Sequence, residues 1–127
     1  MKKRETFYVC KVCGNIIVKV NDGGVPVMCC GKKMEVLEPN TTDAAGEKHV
    51  PVIDVDGNAV RVTVGEIIHP MVEDHFIQWI YLVTEKGVQA KCLKPGEAPV
   101  ATFVLDDDEA KAAFEYCNKH GLWKAEV

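Results

Sequence analysis

The chain has 127 residues, enough for one ordinary domain or for a small metal-stapled unit beside a domain of roughly 90 residues. Its 15 basic and 19 acidic residues are spread along the sequence for a net charge of −4, which leaves no basic face of the kind that nucleic acid or an acidic membrane requires. Met1-Lys2-Lys3-Arg4-Glu5 is followed by no apolar stretch of signal-peptide length, and no run approaches the ~20 apolar residues of a membrane span, so a soluble cytoplasmic protein is expected.

Residues 6 to 37 read as short strands around cysteine turns. Phe7-Tyr8-Val9 leads into Cys10-Lys11-Val12-Cys13-Gly14, Ile16 to Val20 leaves it, and Asn21-Asp22-Gly23-Gly24 turns the chain back. Pro26-Val27-Met28 then reaches Cys29-Cys30-Gly31, and Met34 to Leu37 closes the unit before a polar linker, Glu38 to Asp43. The expected division is a metal domain at 1–37 and a second domain at 38–127, with the boundary between 37 and 45.

Beyond the linker, β-branched runs alternate with turn signals: Val50 to Val55, the turn Asp56-Gly57-Asn58, Ala59 to Val64, Phe76 to Thr84, Gly87 to Leu93 and Val100 to Leu105. Strands of this length and spacing predict an antiparallel sandwich. Asp106 to Lys119 reads as the single helix, with an acidic first turn, alanines within and Gly121 as its stop.

Two sets of side chains have metal-ligand spacing. Cys10, Cys13, Cys29 and Cys30 are all thiolates, which select zinc or iron; a Cys-x-x-Cys turn grips one ion and a second pair completes a tetrahedron. Cys29 and Cys30 are adjacent, so a distorted tetrahedron is expected, and a bond between them would need a strained ring. Spacing alone leaves a structural zinc ribbon open here; a redox-active second site is what favours iron.

The second set is His49, His69, His75, Cys117 and His120. Cys117 and His120 have i, i+3 spacing at the end of the expected helix, while His69 and His75 flank the bend Pro70 to Asp74. Alternation along His75 to Leu82 places His75 on the face of Ile77, Trp79 and Tyr81. Four imidazoles with one thiolate leave one position open on a six-coordinate ion, and a thiolate pushes electron density toward whatever binds there. Cys92 is left over and reads as a small buried apolar residue.

These residues resemble the desulfoferrodoxins, the two-iron superoxide reductases, over nearly the whole chain. Tyr8-x-Cys10-x-x-Cys13-Gly14 with Cys29-Cys30-Gly31-x-x-Met34 is similar to the desulforedoxin or rubredoxin-like domain. Glu47-Lys48-His49-Val50-Pro51, His69-Pro70-Met71, His75-x-Ile77-x-Trp79-Ile80 and Cys117-Asn118-x-His120-Gly121-Leu122-Trp123 are similar to the catalytic domain.

The resemblance implies a mainly β protein, with an immunoglobulin-like sandwich after the small metal domain. It implies two irons per chain: a distorted four-cysteine centre, and one held by His49, His69, His75 and His120 in a plane with Cys117 axial. Superoxide would be reduced to hydrogen peroxide without dioxygen release, and a small donor such as rubredoxin would restore the electron. Glu47 would match a carboxylate that closes the open position at rest, Lys48 a cation beside it, and a homodimer is expected. The competing readings are a non-enzymatic electron-transfer or metal-binding module with both metals saturated, and a zinc-ribbon interaction protein.

Overall fold

A computed structural model describes residues 5–42, 44 and 46–127; Met1–Arg4 of the charged N-terminus, Asp43 of the linker and Ala45 lie outside the described residues. The chain divides into two compact units, Met1–Glu38 and Pro39–Val127.

In the first unit, β1 (Phe7–Val9) runs antiparallel between β2 (Ile16–Val18) and β5 (Glu35–Leu37), with Phe7 opposite both Val18 and Leu37. A two-stranded arm of β3 (Met28–Cys29) and β4 (Lys32–Lys33) presents the second cysteine pair. Among its described residues the buried apolar ones are Phe7, Val9, Cys10 and Met34. So small a core cannot hold a unit of this size by hydrophobic burial alone, which gives a metal ion a structural task here.

The second unit opens with α1 (Gly46–His49), a four-residue turn of helix that the sequence reading does not anticipate. Two antiparallel sheets follow. One has the order β10-β7-β6, formed by β6 (Pro51–Asp56), β7 (Ala59–Val64) and β10 (Val100–Val104). The other has the order β12-β11-β8-β9, formed by β8 (Ile77–Thr84), β9 (Val88–Cys92), β11 (Ala110–Cys117) and β12 (Gly121–Glu126). This is an immunoglobulin-like sandwich of three strands on four. Alternate residues of β7, Val60, Val62 and Val64, are fully buried and meet Ile77, Ile80, Leu82, Phe103 and Ala113 in one core. Each such aliphatic side chain contributes about 1.5–3 kcal/mol of burial.

Three sequence expectations are corrected. Asp106 to Lys119 is not a helix: β11 is the strand between β8 and β12, paired with both. Helix propensity in Ala110, Ala112 and Ala113 is worth only tenths of a kcal/mol per residue, less than two ladders of hydrogen bonds and a buried face. The acidic run forms a turn instead. There the Asp108 carboxylate accepts from the Thr84 hydroxyl at 2.6 Å, the Lys86 N–H at 3.0 Å and the Glu109 N–H at 2.8 Å.

The second correction is to the faces of β8. Cys117 pairs with Ile77 but Tyr116 with Trp79, so Gln78 is an extra residue in the ladder. That bulge breaks the alternation. Ile77 joins Ile80 and Leu82 in the core, while Trp79 stacks on Tyr116 at 5.8 Å. The third concerns Cys92, which is exposed at the end of β9 rather than buried.

Candidate metal centres

In the first unit, the Gly14 N–H donates to the Cys10 carbonyl at 2.8 Å, which folds Cys-x-x-Cys into a knuckle. Adjacent cysteines on a strand would point to opposite sides. Cys30 escapes this by taking φ +51, with Gly31 at φ +72, a left-handed pair that swings both sulfurs to one place. The four sulfurs lie within 4.8 Å of one another, and Cys13 Sγ is 3.6 Å from Cys29 Sγ. A tetrahedral ion with metal–sulfur bonds of about 2.3 Å needs sulfur separations of about 3.8 Å.

Charge makes the same point. The Cys13 backbone N–H aimed at the Cys10 sulfur holds that thiol down to about 6, while the hydrogen bond to Cys10, then that to Cys13, with burial, push Cys30 up to about 12. Four thiolates coexist in so small a space only around a cation. Asn15, unremarked in the sequence reading, donates its side-chain N–H to Cys29 Sγ at 3.5 Å.

The second centre draws on α1, the segment between β7 and β8, and the hairpin of β11 and β12. His49 ends α1; His69 lies in the loop after β7; His75 closes the 70–75 bend through paired backbone hydrogen bonds with Val72, each 3.0 Å. Cys117 ends β11 and His120 sits in the tight turn to β12, so their i, i+3 spacing is that of a β-hairpin rather than of a helix end.

All five ligand atoms fall within 4.8 Å of one another. The imidazoles form a closed cycle, His49 to His69 to His75 to His120 and back, with neighbouring ring centroids 4.6, 4.7, 5.0 and 4.8 Å apart and each ring nearly edge-on to the next. Around that cycle, His49 Nε2 is 3.1 Å from both His69 Nε2 and His120 Nδ1. Metal–nitrogen bonds of about 2.1 Å at right angles place adjacent nitrogens about 3 Å apart. Cys117 Sγ lies 3.9 Å from His120 Nδ1.

The donor set fits an ion. The His75 Nε2 atom is buried with no hydrogen-bond partner among the described residues, an arrangement that costs free energy unless something electrophilic meets the lone pair. The His69 Nδ1–H donates to the Pro70 carbonyl at 2.6 Å, which leaves Nε2 as the lone pair facing its neighbours. Burial holds His69 down to about 4 and lowers His75 as well, so both are neutral ligands at pH 7. Burial pushes the Cys117 thiol up, and a metal cation reverses that by stabilising the thiolate.

Packing holds the ring in place. Trp123 stacks on His49 at 4.9 Å and donates its indole N–H to the His120 carbonyl at 3.0 Å. Cys117, His49 and His69 are buried whereas His75 and His120 are half-buried, so the site meets solvent past the latter two. Glu47 and Lys48 are exposed on α1, immediately before His49.

A four-cysteine unit, followed by a β-sandwich that closes four imidazoles and a thiolate on one point, defines a two-centre non-haem metalloprotein. Residues 41–126 match the family described as Desulfoferrodoxin, and residues 2–37 match Desulfoferrodoxin, N-terminal domain. The chain belongs to the desulfoferrodoxin family. It is 47% identical to the desulfoferrodoxin of Nitratidesulfovibrio vulgaris over 127 residues, covering 100% of both chains. It is 38% identical to the superoxide reductase of Pyrococcus horikoshii, over 67% of this chain and 90% of that one. Among solved structures, the superoxide reductase from Treponema pallidum matches with a TM-score of 0.80 and 38% identity, covering 95% of this chain and 98% of the other.

Proposed function

We propose that this chain is a superoxide reductase that binds two irons, one at Cys10, Cys13, Cys29 and Cys30 and one at His49, His69, His75, His120 and Cys117. The observation that carries the reading is the closed cycle of four imidazoles with Cys117 as a fifth ligand, in a family whose relatives are named superoxide reductases. Iron held there in the ferrous state would supply one electron to a small anion, with the thiolate of Cys117 raising its donating power. Superoxide takes that electron and two protons and leaves as hydrogen peroxide, without release of dioxygen.

The chain's own residues do the rest. Lys48 draws the anion toward a protein of net negative charge and counters repulsion near the site. Glu47, its neighbour on α1, would be the carboxylate that covers the iron at rest and would yield to the substrate. His69 is kept in one tautomer by Pro70, and the Trp123 ring excludes water from the face of His49.

In this reading, residues 1–37 form a four-cysteine iron domain and 38–127 the catalytic domain. A small one-electron donor of the rubredoxin type restores the ferrous state. A cytoplasmic setting is supported by five thiolate ligands and the exposed Cys92, none of them in a disulfide, which a reducing compartment maintains. A homodimer is part of this reading through the family resemblance. Among the described residues, no helix is long and apolar enough to cross a membrane.

Pulse radiolysis of the two-iron protein tests the activity. One hydrogen peroxide per superoxide with no dioxygen supports a reductase; dioxygen evolution would make the protein a dismutase, and no reaction would leave an electron-transfer module.

A further inference from the structure

Gly65 follows β7 directly. A Cβ placed on it would lie 2.6 Å from the Glu47 carbonyl oxygen, 2.8 Å from the Lys48 carbonyl carbon and 3.1 Å from the His49 nitrogen. Real Cβ atoms essentially never approach other atoms within 3.0 Å, and these neighbours are main chain, which cannot rotate aside as the end of a flexible side chain can. The missing side chain is therefore the space into which α1 packs.

The same turn makes two further ties. The Ile67 N–H donates to the Glu47 carbonyl oxygen at 2.9 Å, and the His69 N–H donates to the Val64 carbonyl oxygen at 3.2 Å. His69 is thus fixed through its own backbone and His49 through α1. These are the two imidazoles whose Nε2 atoms meet at 3.1 Å.

We infer that Gly65 is a positioning residue, setting where α1 holds Glu47, Lys48 and His49 relative to His69. For the roles of Glu47 and Lys48 the inference rests on the function proposed above; its geometry concerns only the main chain of α1. To admit a methyl group, α1 must retreat by about 0.8 Å to regain ordinary 3.4 Å contact. Misplacement by about 1 Å at a reacting centre costs on the order of 100-fold.

The test compares Gly65→Ala with Gly57→Ala in the two-iron holoprotein. Gly57 is the control because it has φ +61 but nothing within 4 Å of its virtual Cβ, so its replacement strains the fold without touching α1. In Gly65→Ala, the absorption band that appears on oxidation of the second centre should shift, azide affinity should change, and the superoxide rate should fall by on the order of 100-fold. Absorption of the four-cysteine centre should stay as it is. Gly57→Ala should lower Tm and move none of these readings. A Gly65→Ala protein with the parent's band and azide affinity would overturn the inference, as would the same changes in Gly57→Ala.

If Gly65→Ala does not fold, hydrogen exchange by mass spectrometry on the parent holoprotein decides. Protection of the Ile67 amide and of residues 46–50 supports the inference; exchange of that amide at the rate of a free loop overturns it. A Lys48→Ala protein that reacts normally with superoxide would remove the role of Lys48 and leave the spectroscopic and exchange readings standing, so the two failures are distinguishable.

Discussion

Asn118 and Phe76 are held to each other by two hydrogen bonds. The Phe76 N–H donates to the Asn118 side-chain oxygen at 2.9 Å, and the Asn118 N–H donates to the Phe76 carbonyl at 3.2 Å. The Asn118 amide also donates to the Asp74 carbonyl at 3.1 Å. One side chain between Cys117 and His120 therefore fastens their turn to the backbone on both sides of His75, so three ligands move as one body.

Asn118→Ala removes two of these bonds and leaves the Phe76 N–H and Asp74 carbonyl to water. The expected cost is about 1–3 kcal/mol of stability. Iron should be lost from the second centre about tenfold more readily, in line with other changes behind metal ligands. Chelator competition, followed by the absorption of each centre separately, checks this; equal loss from both centres would argue for a general loosening instead.

Lys48→Ala should slow the second-order reaction with superoxide by about tenfold at low salt and flatten its ionic-strength dependence, because it removes a local attraction that salt screens. Pulse radiolysis at a series of salt concentrations measures both. A rate and slope equal to the parent's would remove Lys48 from the mechanism.

Cys117→Ser should be the most damaging change among the five ligands of the second centre. A hydroxyl cannot supply the electron donation of a thiolate. The absorption band formed on oxidation should vanish, and the superoxide rate should fall further than in Lys48→Ala, while the four-cysteine spectrum persists.

Cys13→Ser breaks the first centre at its knuckle. With Phe7, Val9, Cys10 and Met34 as its only buried apolar residues among those described, the small unit should unfold once its ion is lost. Iron should drop from two per chain to one, and the superoxide rate should be unchanged if the four-cysteine centre takes no part in that step. A slowed reaction would instead place that centre in turnover.

Glu115 is fully buried on β11, and neither of its carboxyl oxygens has a hydrogen-bond partner among the described residues. Burial pushes it from 4.5 up to about 9. Below its unfolded value the carboxyl is protonated in both states. Between about 4.5 and 9 the unfolded chain releases a proton that the fold retains, so stability falls as pH rises through that window. Glu115→Gln should flatten this slope and be more stable than the parent at the alkaline end. Urea unfolding at several pH values measures it, and parallel slopes would mean that Glu115 is ionised in the fold.

Much of this molecule was legible before folding. Ligand chemistry belongs to residue types, so Cys10, Cys13, Cys29, Cys30, His49, His69, His75, Cys117 and His120 could be named from the chain, and the structure gathers them into two groups. Ala59–Val64 and the hairpin before it were likewise readable, because a β-branched run next to Asp56-Gly57-Asn58 settles local structure through contacts a few residues apart.

Other features depend on partners far away in the sequence. Ala110–Cys117 is a strand because β8 and β12 flank it, against its own propensity, and Ile77 faces the core because a bulge opposite Cys117 shifts the register. The order of the imidazole ring is set by contacts such as His49 with His120, 71 residues apart. The place of Gly65 beneath α1 exists only once β7 and α1 have packed. Composition and spacing determined which atoms could bind metal; long-range packing, where many weak contacts outweigh local preference, decided where those atoms stand.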